Sequence, residues 1–245
     1  ITGTAADSSG SGIFLSDTST ITTLTNNGTI RGTAGTTNGS AIGIVSSVIT
    51  TLTNNGTISG TATGTGYGIR LILGGNITTL TNNGTISATA TNDTARGISV
   101  TTSTITNLTN DGTISGSAGN NSGNGIRFLA TSTLTNLTND GTISGSAGNN
   151  SGRGIMFQTG STITNLTNDG TITATAGNNN GQGILLNGNS TIGTLTNNST
   201  ISGTADNNNG HGIVAFANSE ITTLTNDATI SGTATVDQGQ GIRLV

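Results

Sequence analysis

The heptapeptide Leu-Thr-Asn-Asn-Gly-Thr-Ile at residues 24–30 decides the fold, because the chain contains nearly the same seven residues eight times. The copies are separated by 28 or 29 residues and begin at Leu24, Leu52, Leu80, Leu108, Leu137, Leu166, Leu195 and Leu224. A period of this length is typical of solenoid architectures, in which one repeat cannot bury its apolar face alone. The repeats are therefore expected to stack on one another.

Hydrophobic residues inside each repeat follow a period of two, which predicts strands with one buried face. In residues 28–34, Ile30, Gly32 and Ala34 alternate with polar residues. A second apolar segment, Gly-Ile-Phe-Leu at residues 12–15, also recurs in each repeat. A third, at residues 21–26, places two apolar residues three positions apart and is predicted to bend. Each repeat is thus predicted to form three short strands joined by Gly, Asn and Ser turns.

Stacking such units pairs every strand with its copies in the neighbouring repeats. We therefore predict an all-β fold, a parallel β-helix (β-solenoid) of about eight coils of 28–29 residues with three short strands per coil. Right-handed winding is expected, because parallel crossovers are right-handed in nearly all proteins. Residues 1–245 are predicted to form this single solenoid.

The two ends of the sequence both fall inside a coil. Residues 1–5 match residues 30–34, and residues 241–245 stop after one strand. Neither end carries a polar cap, and an uncapped solenoid exposes strand edges. We expect the chain to be a fragment of a longer repeat region, uncapped at both ends.

Composition limits the possible partners. The chain has 40 Gly, no Pro, no Cys and no Lys, and its net charge is only −4. Low complexity suggests disorder, but the regular spacing of Ile and Leu opposes it. Six Arg are scattered singly along the sequence, which predicts no basic stripe and disfavours nucleic acid as a partner. Apolar runs are too short for a membrane span, so the segment is not expected to be membrane-embedded.

One asparagine occupies the same phase of every repeat, in a position that a row of ligands or a structural amide ladder would fill. The eight are Asn26, Asn54, Asn82, Asn110, Asn139, Asn168, Asn197 and Asn226. The ladder is favoured, because each amide can donate to the next and satisfy turn carbonyls. The following residue is Asn or Asp, as expected if the turn needs a left-handed conformation. A weak cation stripe on Asp111, Asp140 and Asp169 is the alternative, but no metal site is predicted.

Catalysis is not expected. His211 is the single His and Glu220 the single Glu, and no repeat departs from the pattern to build a site. The recurring Gly-x-Gly has no following helix to present to a phosphate, so it is interpreted as turn chemistry. No catalytic residue and no cofactor are predicted.

Residues that differ between repeats form the candidate contact surface. Tyr67, Arg96, Arg153 and His211 are predicted to be exposed on loops, and Met156, Leu185 and Val214 to form an outward apolar strip. Separately, Thr-x-Thr pairs such as Thr23 and Thr25 resemble those of ice-binding β-solenoids. Three repeats replace the first Thr with Asn107, Asn136 and Asn165.

The pattern Leu-x-Asn-x-Gly-x-Ile, followed by a Gly-rich turn and Gly-Ile, resembles the repeats of bacterial autotransporter passengers and filamentous-haemagglutinin-like adhesins. The likeness spans the whole chain. It implies a β-helix displayed on or released from a Gram-negative surface by type V secretion.

The function that the resemblance implies is that of an extracellular structural and adhesive repeat protein. Its expected partners are other copies of itself or the glycans and proteins of a host or neighbouring cell. A polymerising extracellular matrix filament and an ice-binding solenoid are the alternatives.

Overall fold

The structure is a computed structural model that describes residues 1–245, and it contains strands and turns but no helix. It therefore has no helix long and apolar enough to cross a bilayer. The strands, in chain order, are β1 (Thr2–Ala5), β2 (Gly10–Leu15), β3 (Thr20–Asn26), β4 (Thr29–Ala34), β5 (Asn38–Val45), β6 (Val48–Asn54), β7 (Thr57–Ala62), β8 (Thr65–Ile72), β9 (Asn76–Asn82), β10 (Thr85–Ala90), β11 (Ala95–Thr101), β12 (Thr104–Asn110), β13 (Thr113–Ala118), β14 (Ser122–Leu129), β15 (Thr133–Asn139), β16 (Thr142–Ala147), β17 (Ser151–Gln158), β18 (Thr162–Asn168), β19 (Thr171–Ala176), β20 (Gly181–Asn187), β21 (Thr191–Asn197), β22 (Thr200–Ala205), β23 (Gly210–Phe216), β24 (Glu220–Asn226), β25 (Thr229–Ala234) and β26 (Gly239–Leu244).

Every third strand belongs to the same sheet, and all pairings are parallel. The first sheet runs β1-β4-β7-β10-β13-β16-β19-β22-β25, the second β2-β5-β8-β11-β14-β17-β20-β23-β26, and the third β3-β6-β9-β12-β15-β18-β21-β24. Consecutive strands of the chain thus form the three walls of one coil, and successive coils stack. This confirms the predicted β-solenoid with three strands per coil. The direction of winding stays a prediction.

Register follows the sequence repeat. Ile30 pairs with Ile58 in the first sheet, and Leu24 pairs with Leu52 in the third. The inward columns of Ile, Leu, Val and Phe make one continuous buried core along the stack. Burial is lost at the last coil, where Leu224 is 37% exposed and Ile242 is 42% exposed.

Glycine at the corner between the third and first sheets is required by close approach of the coils. A Cβ at Gly141 would lie 2.1 Å from the carbonyl oxygen of Gly112 in the coil before. None of these corner glycines, nor the Asn or Asp before them, has a positive φ. The expected left-handed turn at this corner is therefore wrong. Steric contact between backbones selects Gly here.

The last two coils show what a side chain at this corner does. At each corner, the amide of the next threonine donates a hydrogen bond to the carbonyl oxygen of the corner residue in the preceding coil. This bond is 2.8 Å long from Thr142 to Gly112 and from Thr171 to Gly141. Where Ser199 replaces the corner glycine, the bond from Thr200 to Gly170 is 3.4 Å long. Where Ala228 replaces it, the bond from Thr229 to Ser199 is 3.1 Å long. The Cβ atom pushes the coils apart at the corner.

Replacing Gly141 with serine is therefore expected to destabilise the middle of the stack. The substitution stretches the same bond between two buried coils, at a cost of about 1–2 kcal/mol. Urea denaturation measures the loss. The reverse change, Ser199→Gly, is the matched control, and it should not lower stability. Equal losses in both variants would contradict the steric explanation.

Left-handed conformations occur instead at the corner between the second and third sheets. Ser46, Leu73, Thr102 and Thr159 have φ between 49° and 56°. A buried serine follows this turn in most coils and closes it: Ser132 Oγ donates to the carbonyl of Leu129 at 2.6 Å and Ser161 Oγ to that of Gln158 at 2.7 Å. This serine column is a regular position of the repeat, but the sequence pattern alone does not show that its side chain closes a turn.

Candidate binding groove

The asparagine ladder is present and is structural. Each Nδ2 donates to the Oδ1 of the next coil, at 2.7–2.8 Å from Asn26 through Asn197. Six of the eight side chains, from Asn54 to Asn197, have no exposed surface, and Asn226 at the end of the stack is exposed. Nδ2 also donates to turn carbonyls, for example from Asn139 to Gly141 and Thr171 at 3.3 Å. The amides are used within the wall and are not free for a ligand.

The neighbouring Asn or Asp column lies exposed on the ridge at the same corner. Asn55 donates to Asn27 and Asn83 to Asn55, both at 2.8 Å, so a second amide ladder forms where Asn occurs. Partial desolvation raises the pKa of Asp140, and the negative charges of Asp169 and Asp111 raise it further. The described residues contain no group of three acidic, His or Cys side chains placed to hold a metal ion. The ridge thus carries mutually repelling carboxylates in the three consecutive coils of Asp111, Asp140 and Asp169, and amides in most of the others.

The second sheet is bent outward into a groove. In β8, the side chain of Ile69 is fully buried, and a Cβ on Gly68 would meet the core side chain of Ile86 at 2.8 Å. Two consecutive inward positions break the alternation of a flat strand. Tyr67 and Arg70 therefore both point outward and face each other, with the Arg70 guanidinium carbon 5.0 Å from the Tyr67 ring centroid.

Stacking repeats this bend and makes a groove along the solenoid. Its first wall is the column Ser11, Ser40, Tyr67, Arg96, Asn124, Arg153, Gln182, His211 and Gln240. Its second wall is the column Phe14, Gly43, Arg70, Ser99, Arg127, Met156, Leu185, Val214 and Arg243. Asn124 and His211 are each only 1% exposed although they lie outside the core, which shows how deep the groove is.

Four predicted contact residues share the first wall, but not as predicted. Tyr67, Arg96, Arg153 and His211 lie within β8, β11, β17 and β23, and Tyr67 and His211 are buried. Their expected placement on exposed loops is wrong. The interpretation of the Gly-x-Gly segments as turns is also wrong, because these segments run as strand through the bend.

The arginines are also not scattered in three dimensions. Arg70, Arg96, Arg127 and Arg153 lie on four consecutive strands of the second sheet, and Arg243 lies further along it. Five of the six arginines of the chain thus line one groove, and Arg31 is the exception. The expectation of no basic stripe is wrong, because residues 26 to 31 positions apart come together through strand register. Arg70 and Arg127 stand on the second wall, and Arg96 and Arg153 on the first.

Three of these arginines donate hydrogen bonds to neutral side chains. Arg96 Nη1 donates to the Tyr67 hydroxyl at 2.9 Å, Arg127 Nη2 to Gln158 Oε1 at 3.1 Å, and Arg153 Nε to Gln182 Oε1 at 3.2 Å. None of these bonds goes to a carboxylate. Asp93 is close enough to Arg96 to affect its pKa, but it is exposed and accepts hydrogen bonds from Thr65, Thr94 and Asn121.

Burial and mutual repulsion lower the pKa values of two arginines in the groove. Burial lowers the pKa of Arg127 to about 10, helped by the charge of Arg96, and burial lowers that of Arg153 to about 10, helped by the charge of Arg127. Both guanidinium groups are still protonated at neutral pH. The middle of the groove is therefore a cationic strip whose arginines form no hydrogen-bonded ion pair within the chain.

Several buried polar atoms in the groove have no hydrogen-bond partner. They include Nε of Arg96 and of Arg127, Oδ1 of Asn124 and Nδ1 of His211. Buried polar atoms are paired in the great majority of cases. A cavity of about 110 Å³ in the middle of the groove is lined by Arg96, Asn124, Arg127 and Arg153, together with Thr94, Ser122 and Met156.

The predicted apolar strip lies on the second wall of the same groove. Met156, Leu185 and Val214 are 6%, 3% and 2% exposed and form a small cluster of their own, against which Phe216 packs. Beyond them a cavity of about 310 Å³ contains His211 and Arg243. Burial and the charge of Arg243 lower the pKa of His211. The second wall is therefore apolar from Met156 to Val214, between the cationic middle of the groove and Arg243 near its end.

The Thr-x-Thr pairs lie on the outer face of the third sheet. The column that contains Thr25 is Thr in all eight coils. The column that contains Thr23 is interrupted by three asparagines, which form an outer ladder: Asn136 donates to Asn107 and Asn165 to Asn136, both at 2.9 Å. The threonine surface is therefore divided.

The fold and the groove define a β-solenoid with a differentiated outer surface on one sheet. No family model, curated protein or solved structure matches the chain. The function must therefore be inferred from the groove and from the three sheets of the solenoid.

Proposed function

We propose that the chain is a structural and adhesive repeat protein of the bacterial cell surface or its extracellular surroundings. The observation that carries the proposal is the contrast between a regular scaffold and one variable outer surface. The ladder and the inward Ile and Leu columns of the first and third sheets are nearly constant from coil to coil, whereas the outer columns of the second sheet change in nearly every coil. A uniform scaffold with one variable concave face suits binding along the length of a rod better than catalysis at one point.

The absence of Cys and Pro fits folding outside the cell after export. Neither disulfide formation nor prolyl isomerisation delays such a chain. Repeats can fold by adding coils to a formed coil. Resemblance of the repeat to autotransporter passengers and haemagglutinin-like adhesins supports the same location.

Adhesion is tested by presenting the purified, fluorescently labelled chain to whole bacterial and animal cells and by sedimentation of the chain over a range of concentrations. We expect saturable binding to at least one cell type, concentration-dependent self-association, or both. A chain that stays monomeric and leaves every cell surface unlabelled would refute the adhesive function.

A further inference from the structure

We propose that the middle of the groove binds an extended acidic polysaccharide, whose carboxylate or sulfate groups pair with Arg70, Arg96, Arg127 and Arg153. This inference deepens the proposed function by naming the ligand class, and it rests on that function for its biological context. Its physical basis lies in the placement of the arginines, in their lack of acidic partners and in the unpaired polar atoms between them.

The spacing of the arginines suits a chain that lies along the groove. Neighbouring coils of a parallel stack are about 4.8 Å apart, so the four guanidinium groups are distributed over about 14 Å. They alternate between the two walls from coil to coil. A polymer in the groove would meet a positive charge from one side and then from the other, once per coil.

The chemistry of the guanidinium group favours carboxylates and sulfates. Its planar fork matches paired acceptor oxygens, and charge-assisted hydrogen bonds are the stronger kind. Within the chain, these groups bond only to a phenol and to two glutamine amides. An acidic ligand would supply the hydrogen-bonded carboxylate or sulfate partners that these arginines lack within the chain.

The unpaired atoms favour a sugar over a simple polyanion. Nε of Arg96 and of Arg127 are donors that need an acceptor, whereas Oδ1 of Asn124 is an acceptor that needs a donor. A molecule that satisfies both kinds must carry hydrogen-bond donors beside its acidic groups. Acidic polysaccharides have both, because their hydroxyl groups donate, whereas polyphosphate has no such donors.

Single-stranded nucleic acid fits this groove less well. Proteins that bind it without sequence preference stack bases on aromatic side chains along a basic groove. The middle of this groove has one aromatic residue, Tyr67, and the guanidinium groups of Arg70 and Arg96 already lie over its ring at 5.0 and 5.4 Å. No free aromatic platform is left there for a base.

The test measures binding by isothermal titration calorimetry at low salt with four polymers: heparin for sulfates, polygalacturonate for carboxylates, dextran as the neutral sugar and oligo-dT as the nucleic acid. We expect one or both acidic glycans to bind and dextran not to bind. The variant Arg96→Gln/Arg127→Gln/Arg153→Gln should weaken that binding roughly 10- to 100-fold. Glutamine already occupies the first wall at Gln182 and Gln240, so the changes at Arg96 and Arg153 fit the strand.

A charge-matched control separates the groove from net charge. Asn27→Asp/Asn55→Asp/Asn83→Asp also makes the chain more negative by three charges, but on the far ridge, where other coils carry Asp. It should bind acidic glycans within a few-fold of the unmodified chain. Thermal unfolding of all three proteins establishes that each is folded before binding is compared.

Four results would overturn the inference. They are no binding of either acidic glycan, equal loss in the arginine and ridge variants, tighter binding of oligo-dT than of the glycans, and an arginine variant that loses self-association while keeping glycan affinity. The last result would assign the groove to the acidic ridge of a second copy. Cell adhesion that persists in the arginine variant would leave the proposed function standing and remove this inference alone.

Discussion

Replacing Asn139 with alanine is expected to lower the free energy of unfolding by about 3–5 kcal/mol, the sum of two or three unpaired buried groups at about 1–3 kcal/mol each. Asn139 has no exposed surface. Its Nδ2 donates to Asn168 Oδ1 at 2.8 Å and to the carbonyls of Gly141 and Thr171, and its Oδ1 accepts from Asn110 at 2.7 Å. Alanine offers none of these groups, and water cannot replace them within a closed wall.

The matched control lies three residues away on the same strand. Asn136 also takes part in an amide ladder, through bonds of 2.9 Å to Asn107 and from Asn165, but this ladder is on the outer face of the third sheet. Because solvent can replace the lost partners, Asn136→Ala should change the free energy of unfolding by about 0.5 kcal/mol or less. Urea denaturation followed by circular dichroism measures both. Comparable losses would mean that burial does not govern the ladder's contribution.

The second large effect is expected from Phe157→Ala, at about 3–5 kcal/mol. Phe157 is fully buried and stacks on Phe128 of the coil before, with ring centroids 5.2 Å apart and planes 11° apart. Removing the ring leaves a cavity between Phe128 and Leu186, the neighbours in the same column. Backbone pairing with both adjoining coils prevents the column from closing over that cavity.

Phe157→Leu is the control for this prediction. Leu71 and Leu186 occupy the same column in other coils, so the site accepts leucine without a change of register. A loss of about 1 kcal/mol is expected. The comparison uses hydrogen exchange of β14, β17 and β20, because a solenoid can open locally and a single transition need not describe it. Protection that is unchanged by the alanine variant would contradict the packing account.

Most of the three-sheet scaffold could be predicted from the sequence, because a constant period places equivalent residues above one another. The inward Ile30 column and the ladder that includes Asn26 required only the repeat length and the alternation of a strand. The corner that contains Gly141 was predicted with the wrong cause. A left-handed turn and a close approach of backbones both select glycine, and sequence does not distinguish them.

The groove could not be predicted in the same way. Its existence depends on the bend at Gly68, where two consecutive inward positions turn Tyr67 and Arg70 toward each other. Its charge depends on the alignment of residues such as Arg96 and Arg127, which are far apart in the sequence. The signal was nevertheless present: writing the repeats beneath one another puts an arginine in or beside the Gly-Ile segment of four successive coils.

The claim that underlies both the scaffold and the groove is that one repeat is one coil, stacked in register. Spin labels at Thr25→Cys and Thr196→Cys test it directly, because the chain has no cysteine of its own and these residues belong to one column of the third sheet. The labels are six coils apart, which gives a distance of about 29 Å along the stack. Double electron–electron resonance should show a narrow distribution near that value. A broad distribution centred near 70 Å, as expected for a flexible chain of about 170 residues, would contradict the account.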